Sequence, residues 1–365
     1  MRIGIYLGCN SDNLENIEKQ LIAWGKYLDD HELEGFGSVD TPNSIDEYYE
    51  YHTMVENNPT NPISKIHTAF RQTREYIYTR GPDVVIQIWC YPTHGPGVSM
   101  AAKSANTTSV VRFSGDHFSE FKAFSGINRG LAYCLHNLCG VIPLRVADGV
   151  ITLGPYGKAE VVSRGANTNH VQILPPATGL ESRFVPPDDK THIRRKLDLP
   201  MNNQIILYVG RISTRKGIPF LLKAVDEFSD SSNKTLVLVG KGEYKSKIRN
   251  SYSREVIRVP GYVPYQDIHQ YYQSADVYAH PSKYEGIPLT ILEALNCEIP
   301  IVARDAGDIG YVINDIVDSP AEMATMITNR QYEFVWKNED KFSDQFQRDT
   351  LREFLTEELT ELNQR

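Results

Sequence analysis

Short apolar runs alternate with helical patterns along this chain, the arrangement of a parallel sheet covered by helices on both faces. In the N-terminal half the spacing predicts strands over Ile3–Leu7, Val84–Trp89, Ser109–Phe113, Gly149–Leu153 and Val171–Leu174. In the C-terminal half it predicts strands over Gln204–Val209, Thr235–Val239, Val256–Val259, Ala275–Ala279 and Ile299–Ala303. An amphipathic helix follows the breaker NNPTNP, with Ile63, Ile66, Phe70 and Ile77 on one face. In Phe121–Leu144, Leu131, Leu135, Leu138 and Ile142 recur at helical spacing. That segment holds Lys122 and Arg129, is followed by Arg145 and contains no acidic residue. It reads as a helix packed on the first sheet; the alternative is a face lying on an anionic membrane surface. A polar-faced helix is expected over Phe342–Leu362.

The stretch PPATGLESRFVPPDD separates the two halves and is rich in proline and polar residues, as interdomain linkers are. A chain of 365 residues exceeds one compact core and fits two domains. No internal repeat or low-complexity tract interrupts it.

The most informative segment is SKYEGIPLTILEALNCEI, residues 282–299, in which Glu285 and Glu293 stand eight apart. Proline is favoured at the first helical position, where its missing N–H would be unpaired anyway. Pro288, ahead of Leu289, Ile291, Leu292, Ala294 and Leu295, therefore predicts a helix from about Ile287. Glu285 falls in the loop before it and Glu293 about a turn and a half inside. Unpaired amides and the positive dipole end welcome an anion at such a start. A phosphorylated polyol would suit it, phosphates on the amides and hydroxyls on the carboxylates. The alternative is a core helix with two solvated glutamates.

The apolar run Gln204–Val209 leads into Gly210, Arg211, Ile212, Ser213, Thr214, Arg215, Lys216 and Gly217, and then into the helix pattern Phe220, Leu221, Leu222, Ala224, Val225. A strand, a basic loop edged by glycines and a helix can hold a diphosphate, although the GxGxxG fingerprint is absent. Arg211 offers a planar fork and Lys216 a compact charge. A solvated basic loop is the plainer alternative.

A formal net charge of −8 argues against nucleic acid as the main partner. No stretch of eighteen apolar residues occurs, so no spanning helix is expected, and Met1 running straight into a strand predicts no secretory leader. Cys9, Cys90, Cys134, Cys139 and Cys297 are scattered and odd in number, which suits free thiols in a reducing cytoplasm. Cys134 and Cys139 lack a second pair to complete a metal site, and there is no Asp-x-Asp. Neither metal nor cofactor is expected.

Taken in order, strand-GR-x4-KG-helix, VGKGEY, GYVP and SADVYAHPSKYEGIPLTILEAL resemble the C-terminal half of glycosyltransferase family 4, the group 1 glycosyl transferases. The likeness is dense over roughly residues 204–305 and looser across the chain. It implies the GT-B fold: α/β, two Rossmann-like doubly wound parallel-sheet domains facing a central cleft. Residues 1–178 with about 340–365 would form the acceptor-side domain, and 190–338 the nucleotide-sugar domain.

The implied activity is retaining transfer of a sugar from a nucleotide-sugar donor to a hydroxyl of a glycan, glycolipid or polyprenol-linked acceptor, without metal. The protein would be cytoplasmic, with peripheral contact at the inner membrane face. Arg211 and Lys216 would neutralise the diphosphate, Glu285 would meet the donor sugar and Glu293 the ribose. Gly8, Tyr262, Gly286, Ile287, Pro288 and Leu289 would complete the donor site, the peptide around Val259, Gly261 and Tyr262 holding the base through its main chain.

Several positions depart from the family pattern. Only Gly8 of an expected Gly-Gly pair is present, followed by Cys9, Asn10 and Ser11. Gly115 stands where many relatives have a histidine, leaving Asp116 or His117 to substitute, with Arg112 nearby; the alternative is a turn whose Asp116 caps the next helix. His94, in the loop-like YPTHGPG, reads as an acceptor contact or as a plain surface histidine. Lys283 and Tyr284 would brace Glu285 or form a rim, Gly240 and Gly242 would make a turn, and the Gly307, Asp308, Ile309 stretch only half keeps its family pattern. These departures keep two rivals in view: a non-catalytic sugar-nucleotide-binding protein, and a sugar-nucleotide epimerase on the same fold.

Overall fold

A computed structural model describes residues 1–9, 14–55, 59–177, 183–228 and 233–359. Asn10 and Ser11, the start of NNPTNP, the middle of the proline-rich linker and the end of the Phe342–Leu362 stretch lie outside the described residues. The chain divides into two compact units, Met1–Gly179 with Glu339–Arg365, and Leu180–Asn338.

The first unit carries seven strands: β1 (Arg2–Gly8), β2 (Glu32–Gly37), β3 (Glu50–Thr53), β4 (Val84–Gln87), β5 (Thr108–Phe113), β6 (Gly149–Thr152) and β7 (Val171–Ile173). They pair in parallel in the order β3-β2-β1-β4-β5-β6-β7. Successive side chains of a strand point to opposite faces. Ile3, Ile5 and Leu7 accordingly pack with Leu21 and Trp24 of helix α1 (Glu15–Tyr27) and with Leu28 just after it, and Leu351, Phe354 and Leu355 near the C-terminus join the same core. Tyr6 turns to the other face, with Phe36, Val85, Ala69 and Tyr76. Within this unit the helix Asp344–Glu353 is pinned to α1: the Tyr27 hydroxyl donates to Asp344 and the Arg352 Nε to the Tyr27 carbonyl.

Helix α2 (Pro62–Arg80) starts at an Asn61–Ser64 capping box and ends at left-handed Gly81. Its buried face is Thr68, Ala69, Gln72, Thr73, Tyr76 and Ile77, while Ile63 is 78% exposed, so the apolar face expected from sequence is rotated. Close approach of α3 (Tyr91–Ser104) is the cause: a Cβ on its Gly97 would lie 2.6 Å from that of Ala69. Gln72 is satisfied there by the Tyr6 hydroxyl and by Ser38.

The Phe121–Leu144 stretch is not the single helix packed on the sheet that was expected. It breaks into α5 (Gly126–Tyr133), which follows the short α4 (His117–Glu120), and then into π and 3₁₀ turns. Phe124, Ile127, Leu131, Tyr133 and Leu138 all point to solvent, Ile127 at 84%. Glycines at 126 and 130 and the proline at 143 fragment the helix, so its leucine spacing never forms one buried stripe.

The second unit has β8 (Gln204–Val209), β9 (Lys234–Val239), β10 (Ile257–Gly261), β11 (Val277–His280), β12 (Ile301–Arg304) and β13 (Ile316–Val317), all parallel in the order β10-β9-β8-β11-β12-β13. Ile206, Tyr208, Leu236, Leu238, Val277 and Val302 form its core with Ile218, Leu221 and Val225 of the helix Ile218–Asp226. The strand order runs outward from β8 to β10, then reverses and runs outward from β11 to β13. Loops after β8 and β11 therefore flank the reversal, where open parallel sheets bind ligands.

Candidate functional site

At that reversal the loop after β8 and the loop after β11 interlock. Gly217 caps the helix Ile218–Asp226 at φ +74°, and a Cβ there would sit 2.0 Å from the Pro281 carbonyl oxygen. Gly307, at φ +52°, lies equally close to the Glu285 carbonyl, and the Asp308 amide donates to Gly286. Only glycine combines that backbone with that proximity. The half-kept Gly307–Ile309 stretch thus backs the Glu285 loop.

Lys216 donates to Glu285 Oε1 at 2.6 Å, across 69 residues of sequence. His280 Nε2 lies 3.8 Å from the same oxygen. The Glu285 side chain is 12% exposed and Lys216 34%. Burial alone would raise the Glu285 carboxyl; the Lys216 charge foremost, then His280, overcome it and hold the group below the usual range. Burial pushes His280 down to about 4; Glu285 opposes this and Lys216 adds to it. Arg211 is exposed, and its carbonyl accepts from the Tyr208 hydroxyl. The neighbouring loop of β9 fastens this basic segment, with the Glu243 carboxylate accepting from the Thr214 amide and hydroxyl at 2.9 and 3.0 Å and Ile212 N–H donating to Lys241.

The helix after Glu285 begins at Leu289, two residues later than its sequence suggests, with extended Pro288 as its cap residue rather than its first turn. Gly286, Ile287 and Pro288 are therefore loop, and Glu293 lies one turn into the helix. Glu293 is buried rather than solvated, and the Tyr272 hydroxyl donates to it at 2.7 Å. From there a run of rings, Tyr272 to Tyr278 to His280, leads back to Glu285. Tyr262 follows β10 and is 64% exposed beneath the Lys241 ammonium. Lys283 is exposed over the Tyr284 ring and takes the rim position.

In the first unit the reversal falls between β1 and β4. A Cβ on Gly8 would lie 3.1 Å from Trp89 and 3.2 Å from His94. His94 is neither on a loop nor at the surface. The YPTHGPG segment is helical, opening α3 with Pro92 in its first turn, and its glycines serve close packing rather than bending. The ring is 3% exposed, 3.9 Å from Cys9 Sγ and edge-on to Tyr6 and Trp89, and burial pushes it down to about 3. Asp116 caps α4 by accepting from the Ser119 amide, and His117 stacks on Tyr91. Arg112 does not face open space: it is buried toward Gln20, and burial lowers it to about 10.

Among the described residues one trio, Glu34, Glu50 and His52, has metal-like spacing. Glu34 already accepts from Arg80 at 2.5 Å and from the Tyr76 hydroxyl at 2.6 Å, and so serves as a neutralised core carboxylate. His280 and Glu243 are the residues that sequence reading missed. The signal for His280 was its position at the carboxyl end of a strand, directly before the Glu285 loop.

Residues 189–321 match the family described as Glycosyl transferases group 1. The putative teichuronic acid biosynthesis glycosyltransferase TuaC of Bacillus subtilis (strain 168) is 32% identical over 265 residues, which is 71% of this chain and 64% of that protein. A D-inositol 3-phosphate glycosyltransferase of Streptosporangium roseum is 26% identical over 53% of this chain and 49% of its own length. The matched region thus spans less than two thirds of either relative. Among solved structures, sucrose-phosphate synthase from Thermosynechococcus elongatus superimposes with a TM-score of 0.70 at 17% identity, covering 100% of this chain and 98% of that one. Anabaena HepE in complex with UDP-glucose gives 0.65 at 17% identity, over 100% and 97%. Among the described residues no helix is long and apolar enough to cross a membrane. Residues 189–321 are thus a Glycosyl transferases group 1 segment, and the two parallel-sheet α/β units have the GT-B fold.

Proposed function

We propose that the protein is a retaining glycosyltransferase that takes a nucleotide-sugar donor and delivers a hexose to a hydroxyl, without metal. The observation that carries it is the Lys216–Glu285 pair at the sheet reversal, beside exposed Arg211 and ahead of the helix Leu289–Asn296. Negative charge grows on the leaving diphosphate as the glycosidic bond breaks. Fixed cations and amides aimed at such charge are commonly the largest catalytic contribution. Lys216, Arg211 and the first-turn amides supply them. Lys216 exchanges the carboxylate for the phosphate, and Glu285 then orients the sugar as an electrostatic and positioning group, not a nucleophile. Glu293 meets the ribose, and the exposed main chain at Tyr262 the base. The leaving phosphate takes the acceptor proton on the same face, which retains the anomeric configuration.

The acceptor side rests on the first unit, with Asp116 and His117 in place of the usual histidine. Phe124, Ile127, Leu131 and Leu138 are exposed beside Lys122 and Arg129, with no acidic residue across 121–144, which suits an anionic bilayer and a lipid-linked acceptor. The decisive experiment incubates the protein with UDP-, GDP- and ADP-sugars and follows nucleotide release with and without acceptor extract. Acceptor-dependent release supports transfer. Conversion of the sugar without acceptor would point to an epimerase, and binding without either to a non-catalytic protein.

A further inference from the structure

We propose that His280 is a positioning residue that replaces Lys216 as the counter-ion of Glu285 whenever an anionic ligand draws the lysine away. The diphosphate identity of that anion rests on the proposed function; the exchange itself does not. A single oxygen, Glu285 Oε1, faces both candidates, Lys216 Nζ at 2.6 Å and His280 Nε2 at 3.8 Å. Lys216 is 34% exposed on a long flexible stem in the turn before its helix, so it can swing to a ligand. Glu285 cannot follow. Its side chain is nearly nine-tenths buried, and its backbone is wedged against Gly307.

Stripping Lys216 from a carboxylate so poorly hydrated leaves an uncompensated buried charge, which is strongly unfavourable. His280 is built to answer it. Its ring is 4% exposed and, among the described residues, neither nitrogen has a hydrogen-bond partner. A buried imidazole normally satisfies at least one nitrogen, so the vacancy needs a reason. The groups that face it are Glu285 from its own loop, Lys216 from the loop after β8, and Tyr278 along its strand; Tyr208 of β8 adjoins Glu285 and Arg211.

Their signs decide the outcome. Burial and the Lys216 ammonium keep the imidazole neutral, while Glu285 pulls toward the imidazolium. Departure of Lys216 removes one opposing charge and leaves the attraction undivided. A proton from solvent then enters the ring, and the imidazolium Nε2–H donates to Glu285 Oε1. The carboxylate stays ionised and in place, and ligand binding takes up a proton.

The test follows the imidazole of His280 by NMR in protein labelled at its ten histidines, the signal assigned with His280→Gln. In the wild type the ring should stay neutral down to about pH 5. Lys216→Met, or Lys216→Gln should that variant misfold, imitates the departed lysine without any ligand and should raise the midpoint by a unit or more. Adding Glu285→Gln to it should bring the midpoint back down. Equal midpoints in the wild type and both Lys216 variants would overturn the proposal. Adding UDP or inorganic pyrophosphate to the wild type should reproduce the upward shift. A shift in the variants with none on adding either anion would leave the exchange standing and overturn the diphosphate assignment.

Discussion

Gly307→Ala is the sharpest single perturbation of the site, because it alters no group proposed to touch a substrate. The new Cβ would lie 2.0 Å from the Glu285 carbonyl oxygen, and separations under 3.0 Å force something to shift. The obstacle is backbone, so relief takes a displacement of about 1 Å in the loop or in residue 307. The left-handed φ of +52° adds roughly 1–2 kcal/mol for any residue with a Cβ. Overpacking of this kind typically costs about 1–3 kcal/mol. Together the second unit should lose roughly 2–5 kcal/mol of a total that is itself only about 5–15 kcal/mol in most domains.

Gly310→Ala is the control: it lies three residues on, in open space. Trp336 is the one tryptophan of the second unit, and Trp24 and Trp89 belong to the first. Urea unfolding read from the 5-fluorotryptophan 19F signal of Trp336 therefore isolates the relevant transition. Transfer should fall about a hundredfold in Gly307→Ala, the usual consequence of a ~1 Å misplacement. UDP affinity should fall much less, since Glu285 is assigned to the sugar. If Gly307→Ala unfolds within ~0.5 kcal/mol of Gly310→Ala and transfers sugar at the wild-type rate, the clamp on Glu285 does not exist.

Other outcomes follow from the same geometry. Tyr272→Phe strips the buried Glu293 carboxylate of a 2.7 Å donor and should destabilise the second unit by about 1–3 kcal/mol while raising the donor KM, checked by unfolding and by kinetics. Arg211→Ala and Lys216→Ala should each cost about 3–4 kcal/mol of transition-state stabilisation and weaken UDP binding in calorimetry; normal binding by the double variant would sink the phosphate assignment. Unfolded imidazoles, near pKa 6.5, bind protons that folded His94 and His280 refuse. Stability is therefore fully present above about pH 6.5 and is lost as pH falls, toward about 4 for His280 and about 3 for His94. The shifts cap those losses at roughly 3 and 5 kcal/mol, so His94→Gln should flatten the acid limb of the first unit's unfolding curve. Ile127→Glu with Leu131→Glu should abolish low-salt flotation with anionic vesicles and leave UDP binding unchanged.

Strands that are buried on both faces were legible, because they read as continuous apolar runs; Gln204–Val209 is β8 residue for residue. Those missed break that rule. β2 reads ELEGFG and buries Glu34, acceptable only because Arg80 and Tyr76 neutralise and bond it. β3, EYHT, is a polar edge strand, and β13 has two residues. Local chemistry misled twice. Prolines and glycines made α3 look like a loop, although Pro92 opens the helix and Gly97 lets it approach α2. Leucine spacing made 121–144 look buried, although Leu131 and Leu138 turn outward and Leu135 and Ile142 are only half-buried. For the site, Lys216 and Glu285 could each be singled out from their loops. Their contact could not, since it depends on where the strand order reverses.

That reversal also decides which groups in the site can move. Gly217 is held against Pro281 and Gly307 against Glu285, so the loop bearing the carboxylate is gripped from the strands on either side of β11. Glu243 holds the Thr214 amide and hydroxyl from the next strand along, which fixes the backbone of the basic loop as well. With both backbones fixed, a ligand can be answered only by side chains with freedom or an unfilled valence. Lys216 and Arg211 have the exposure, and His280 has two nitrogens without a hydrogen-bond partner among the described residues. A rigid carboxylate between one mobile cation and one latent cation can surrender the first to a phosphate without losing its own charge. A fixed, ionised Glu285 is what orienting a sugar at that position would require.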